Sequence, residues 1–215
     1  MLITVTSLTL FIILTIIFMS ISVIRNMNIT KFSLLSFTRP SNSIAKPAIT
    51  EMLLTPNEYS RPQTPLKKVN SIVVHYTANP GTGAKSNRNY FENLRISKET
   101  SASSHFVIGL KGEIIQCIPL EEISFASNNR NNDTISIECC HPDESGKFND
   151  NTYESLIKLL AWLCTEYNLD RDDIIRHYDV NRKLCPLYYV KHEDAWEKLK
   201  DDVMDYIDKN ATKDQ

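Results

Sequence analysis

"SIVVHYTA", residues 71–78, decides the fold. It is a short apolar run rich in β-branched residues, the composition of a buried strand, and it places His75 at its downstream end, where a site can open. Downstream, "NRNYFENLRI" at residues 87–96 has helical spacing, with Tyr90, Phe91, Leu94 and Arg95 sharing a turn and a half. "SHFVIGLKGEIIQCIPL" at 104–120 reads as two strands around the tight turn Leu110-Lys111-Gly112, and "DTISIECC" at 133–140 as another strand. "NTYESLIKLLAWLCTEYNL" at 151–169 is a helix capped by Asn151, with Glu154 at the third helical position. Its apolar stripe is Leu156, Leu159, Leu160, Leu163 and Tyr167, with Cys164 a small core residue. A last helix spans 193–207, with Trp196, Leu199, Val203, Tyr206 and Ile207 on one side. Strands interleaved with helices predict the α/β class, one mixed sheet flanked by helices.

Upstream the texture differs. Residues 25–65 are rich in Ser, Thr, Asn and Pro without sustained periodicity, which predicts a linker, so the globular domain is expected over 66–215. Residues 1–24, "MLITVTSLTLFIILTIIFMSISVI", carry no charged side chain. At ~1.5 Å per helical residue they can cross a bilayer core of ~30 Å, and with no basic residue ahead of the run and no Ala-x-Ala exit they read as a transmembrane anchor rather than a cleaved signal sequence. Arg25, Lys31 and Arg39 all follow the span, a weak positive-inside bias toward keeping the domain in the cytoplasm. The formal net charge of −2 supplies no basic face for nucleic acid. The five cysteines, an odd number without framework spacing, leave at least one free, ligated or paired with another chain.

Two histidines and a cysteine carry the chemistry. His75 ends a strand, His177 follows Ile174-Ile175, and Cys185 lies eight positions further on, just before Pro186. Two imidazoles and a thiolate suit zinc, and three protein ligands leave a fourth position open, the mark of a catalytic site. The 177–185 spacing is too long for one helical face, so the loop must turn back to close a chelate. Residue types and spacing also accommodate ordinary buried roles for each of the three.

Four ordered stretches narrow the choice. "IVVHYTA" (72–78), "SSHFVIGLKGEIIQCIP" (103–119), "NDTISIECC" (132–140) and "IIRHYDVNRKLCP" (174–186) together resemble the zinc-dependent N-acetylmuramoyl-L-alanine amidases of the phage-lysozyme and peptidoglycan-recognition-protein type. The resemblance implies that His75, His177 and Cys185 hold Zn2+. It also implies that the substrate is peptidoglycan, cut at the amide between N-acetylmuramic acid and the L-alanine of the stem peptide. Members that bind the wall without cutting it lack the cysteine, so Cys185 argues for an enzyme over the alternative, a peptidoglycan-binding module.

Glu138 matches the family's strand glutamate, the base that moves a proton from water to the leaving amine. Lys183 matches a lysine that holds the oxyanion. A solvent-facing strand carboxylate and a solvated loop lysine are the plainer readings of the two. Phage-type members place a tyrosine where this chain has Ser104, so either His105 shares the proton work with Glu138 or water bridges the gap, and His105 is equally readable as a strand residue donating to a carbonyl. Asp179 is a candidate to orient His177, and Tyr76, Asn79 and residues 126–133 are expected to line the groove. Cys139 and Cys140, adjacent on a strand, must face opposite ways. Two rivals remain: a wall peptidase using Cys185 as nucleophile, and a structural zinc protein, which needs a fourth ligand from His141 or His192. The substrate lies outside the cytoplasmic membrane, so the expected protein is a single-pass, membrane-anchored monomer with its domain outside the cell.

Overall fold

The structure, a computed structural model, describes residues 42–213. Its centre is a six-stranded mixed sheet built from β2 (Ile49–Glu51), β3 (Ser71–Tyr76), β4 (Phe106–Ile108), β5 (Ile114–Gln116), β6 (Thr134–Cys139) and β7 (Ile174–Arg176). The strand order is β2-β5-β4-β6-β3-β7. Strand β3 is flanked on both sides by parallel partners, β6 and β7. A strand so placed has no solvated edge and must be apolar along its length, which is why "SIVV" announces itself. Strands β4 and β5 form the antiparallel hairpin, closed by Gly112 at φ 81. A two-residue ladder joins β1 (Asn42–Ser43) to β8 (Thr212–Lys213).

Helices cover both faces. Ile72, Val74, Phe106, Ile108, Ile135 and Ile137 project from one face into a core shared with α2 (Asp150–Tyr167) and α5 (Glu193–Asn210), where Leu156, Leu160, Trp196, Leu199 and Val203 are buried. Val107, Ile115 and Cys117 project from the other into a smaller core with Ala84, Phe91 and Leu94 of α1 (Ala84–Ser97). Cys139 belongs to the first core and Cys140 to the second, as strand alternation requires. All five cysteines are free and buried. Two short helices, α3 (His177–Asn181) and α4 (Leu187–Lys191), connect β7 to α5.

Three expectations change. Residues 42–65 are part of the fold rather than linker: Ile49–Glu51 pair with β5, and Leu54 and Ser60 are buried. A three-residue strand among prolines has too little pattern to announce itself. The cap of α2 is Asn149, whose side chain accepts from Thr152 N–H, two residues before the predicted Asn151. On α1 the buried positions are Ala84, Asn87, Phe91 and Leu94, while Tyr90, one position and ~100° away from Phe91, is exposed, as is Arg95. Among the described residues no helix is long and apolar enough to cross a membrane; the apolar span at 1–24 lies outside the described residues.

Candidate metal centre

Strands β6, β3 and β7 run parallel and finish on the same edge of the sheet, the place where open α/β sheets bind ligands. Three chemically active residues sit there. His75 is the fifth residue of β3, Glu138 is its direct partner on β6, and His177 opens α3 immediately after β7. The pairing of His75 with Glu138 puts both side chains on the same face.

Cys185 reaches the same place through a reversal. Helix α3 lasts five residues, Arg182 turns the chain back in the left-handed region at φ 67, and Tyr178 N–H then donates to the Cys185 carbonyl at 3.0 Å. The spacing too long for one helical face is therefore spent on one short helix and a return. The donor atoms of His75, His177 and Cys185 all lie within 4.8 Å of one another. The two imidazoles meet edge-on with centroids 4.7 Å apart, and His75 Nδ1 is 3.8 Å from Cys185 Sγ.

The base of this loop is held from beneath by Arg176. Its guanidinium pairs with Asp179 at 3.0 Å and Glu193 at 2.6 Å, donates to the Tyr189 carbonyl at 2.9 Å and lies over the Trp196 ring. Asp179 also accepts from Arg176 N–H at 2.8 Å. Asp179 thus secures the residue before His177 instead of touching the imidazole.

The outer nitrogens are met by a 3-10 turn at Asn128–Arg130, within the polar stretch 126–133. Asn128 Oδ1 lies 2.9 Å from His177 Nε2, and Ser127 Oγ stands 3.5 Å from His75 Nε2. His177 Nδ1 is buried without any partner. Sequence reading had no means of separating Ser127 and Asn128 from their equally polar neighbours; only the fold shows which of them meet the imidazoles.

Electrostatics follow from burial. His75, His177 and Cys185 are 2%, 5% and 2% exposed, so each is pushed toward its neutral form. Burial first, then His177 and Lys183, lower His75 well below the usual histidine range. Burial and then Lys183 bring His177 down to about 4. Burial, reinforced by Glu138, raises the Cys185 thiol to about 12, which disfavours the thiolate that a peptidase nucleophile needs. Burial raises the Glu138 carboxyl to about 8, against the pull of Lys183, and Glu138 Oε2 has no hydrogen-bond partner. A strand carboxylate facing solvent would show neither feature.

His105 stands elsewhere in function. Its Nδ1 accepts from Ser136 N–H at 3.0 Å and its Nε2 donates to the Glu122 carbonyl at 2.9 Å. Both ring nitrogens are spent on the backbone, so the ring fixes β6 against the 122–124 loop and has none left for a reacting group. Ser104 is likewise committed, with its hydroxyl 3.0 Å from the Phe106 carbonyl and 2.9 Å from the Ser136 carbonyl. His141 is buried with Nδ1 2.7 Å from the Asp143 carbonyl and lies outside the cluster, so the described residues supply three donors and no fourth.

An open cavity of about 440 Å³ adjoins His177. It is lined by Ser101, Ala102, Phe125, Ala126, Asn128, Asn131, Asn181 and Lys183. From the stretch expected there, Ala126, Asn128 and Asn131 contribute; Tyr76 and Asn79 are not among its walls. The Ser101-Ala102 segment was not singled out by the sequence.

Residues 65–187 match the family model described as N-acetylmuramoyl-L-alanine amidase. The chain belongs to this family. Among curated relatives of this amidase-family chain, the N-acetylmuramoyl-L-alanine amidase BlyA of Bacillus subtilis (strain 168) is 34% identical over 168 residues, covering 68% of this chain and 44% of BlyA. The N-acetylmuramoyl-L-alanine amidase CwlL of Bacillus licheniformis is 36% identical over 147 residues, 62% of this chain and 40% of CwlL. The chain therefore spans less than half the length of the curated relatives it matches. Among solved structures, that of PlyL superposes with a TM-score of 0.62 at 26% identity, over 73% of this chain and 97% of PlyL. The catalytic domain of XlyA does so at 0.61 and 26%, over 73% and 99%.

Proposed function

We propose that the domain hydrolyses the amide between N-acetylmuramic acid and the L-alanine of the peptidoglycan stem peptide, using a zinc ion held by His75, His177 and Cys185. The observation that carries this reading is the convergence of those three donor sets within 4.8 Å, beside the half-buried Glu138 on the neighbouring strand, whose Oε2 is enclosed without a partner. The donors fit the ion: two imidazoles and one thiol are a zinc set, and His177 Nδ1, buried and unpartnered, is a lone pair that no protein group uses. Three protein donors leave one position for water or substrate, which disfavours a purely structural zinc. When bound there, zinc supplies Lewis acidity that polarises the scissile carbonyl and acidifies water.

The remaining steps belong to the chain. Glu138, beside His75, takes a proton from the attacking water as the C–O bond forms and returns it to the amide nitrogen as the C–N bond breaks, giving a carboxylic acid and an amine. Held by burial in its protonated form, the Glu138 carboxyl would be drawn toward the ionised form that this role requires if the cluster carried a cation. Lys183, which lines the cavity and whose charge is felt by His75, His177, Glu138 and Cys185, stabilises the negative charge that develops on the carbonyl oxygen. His105 holds the strand that carries Glu138 and moves no proton. The charge-free stretch at residues 1–24 supports an anchor that keeps a monomeric enzyme at the outer face of the membrane; protease digestion of the domain on intact cells tests it, and protection would reverse the topology.

The deciding assay is release of new L-alanine amino termini from purified cell walls, with a chelator and then with zinc restored. Activity lost and regained is the expected result. Wall binding without release by the zinc-loaded protein would replace the enzyme with a recognition module.

A further inference from the structure

We infer that Asn128 is a positioning residue that locks His177 in the one tautomer able to offer Nδ1 to a metal, and that it does so through a relay of oriented amides. The inference rests on the proposal that the His75, His177 and Cys185 cluster holds a metal.

The relay starts at a group whose polarity is beyond dispute, a backbone N–H. Lys183 N–H donates to Asn181 Oδ1 at 3.1 Å, which fixes the orientation of the Asn181 amide. Its Nδ2 must then point the other way, and it donates to Asn128 Oδ1 at 2.8 Å. That donation fixes the Asn128 amide in turn, with oxygen rather than nitrogen facing inward. The same oxygen lies 2.9 Å from His177 Nε2. An oxygen without hydrogens can only accept, so Nε2 carries the proton. A neutral imidazole has one N–H, and Nδ1 is therefore the bare lone pair, buried and without a protein partner, on a ring that belongs to the cluster.

Asn128 is built for this. It adopts φ 53, a left-handed conformation that asparagine tolerates better than most residues. The turn around it is stapled by Asn131 Oδ1, which accepts from the backbone N–H groups of Ala126 and Ser127 at 3.1 and 2.6 Å. Two of the relay's members, Asn181 and Lys183, lie in the stretch that joins His177 to Cys185. The segment that brings the two ligands together thus also dictates which nitrogen one of them presents.

The test uses the full chain in mild detergent, labelled with 15N-histidine, in long-range proton–nitrogen spectra of the metal-free protein, together with zinc affinity from competition with a chromophoric chelator. Wild type is expected to hold His177 as the Nε2–H tautomer. Asn128→Asp keeps an acceptor, and should keep that tautomer and at least wild-type affinity. Asn128→Leu removes the acceptor and should mix the tautomers and weaken zinc binding by about 10- to 100-fold, the range for lost outer-shell partners. Asn181→Asp discriminates most sharply and is an exposed substitution, so it decides the matter if Asn128→Leu does not fold. With an acceptor at position 181, the Asn128 amide must turn its Nδ2 inward, placing the proton on His177 Nδ1 and weakening zinc binding. Added negative charge alone would strengthen binding. Retention of the Nε2–H tautomer in Asn181→Asp, or a gain in its zinc affinity, would overturn the relay. Should wild type bind no zinc while the tautomers respond as described, the metal reading falls and the relay stands.

Discussion

Glu138 is where the physics of a single residue is most exposed to experiment. A carboxyl raised to about 8 by burial keeps its proton in the metal-free fold at neutral pH and loses it in the unfolded chain. Its contribution to stability is then fully present below about pH 4.5 and is lost as pH climbs through about 8. Glu138→Gln is neutral throughout. In chelated protein the variant should match wild type near pH 4 and exceed it increasingly up to pH 8.5, read as the urea midpoint at each pH. A pH-independent difference would show that the carboxyl is not buried as described. The zinc-loaded variant should bind the ion normally and release L-alanine termini about 10²- to 10⁴-fold more slowly.

At the scale of elements, two substitutions separate support of the fold from support of the site. Gly112 closes the β4–β5 hairpin at φ 81, and a Cβ there would meet Ser155 Oγ at 2.8 Å and the Asn151 carbonyl oxygen at 3.0 Å. Gly112→Ala should cost roughly 1–3 kcal/mol by thermal unfolding and leave zinc affinity intact, because the turn packs on α2 and not on the cluster. Arg176→Met removes a buried guanidinium that pairs with Asp179 and Glu193 and should cost about 2–3 kcal/mol. It should weaken zinc binding as well, since His177 is the next residue. What was legible in the sequence divides along the same line. Strands β3 and β6, the hairpin, and helices α2 and α5 announced themselves through local pattern, whereas His75, His177 and Cys185 stood out only as a zinc-compatible set of residue types and Glu138 only through the family resemblance. Strand β2 did not, because its three residues draw their identity from pairing with β5, some 65 positions away. Asn128 did not for a related reason: in a run of four asparagines and a serine, only the folded turn decides which amide meets an imidazole. His105 looked like a reacting group by position, and its engagement by Ser136 and Glu122 is long-range information.

The described domain is held by a sheet buried on both faces, with the cluster at one edge joining β3, the β7–α3 junction and the return loop. A ligand that binds only this folded arrangement adds stability by mass action, about 2.7 kcal/mol at a hundredfold excess over its Kd. Chelation should therefore lower Tm, readdition of zinc should restore it, and the restored value should rise with free zinc; a Tm indifferent to zinc would remove the metal from the cluster. His75 faces Glu138 because β3 and β6 pair in parallel register from Ser71 with Thr134 to Tyr76 with Cys139. The backbone spacing between the proposed metal ligand and the proposed proton carrier is thereby the repeat of a peptide ladder, ~4.8 Å, set by main-chain groups that every residue possesses. Over evolutionary time the apolar side chains of both strands can be exchanged for one another while this distance is passed on unaltered. A lineage can lose most of its recognisable identity and still inherit a working geometry, provided no insertion ever shifts one strand by a single step.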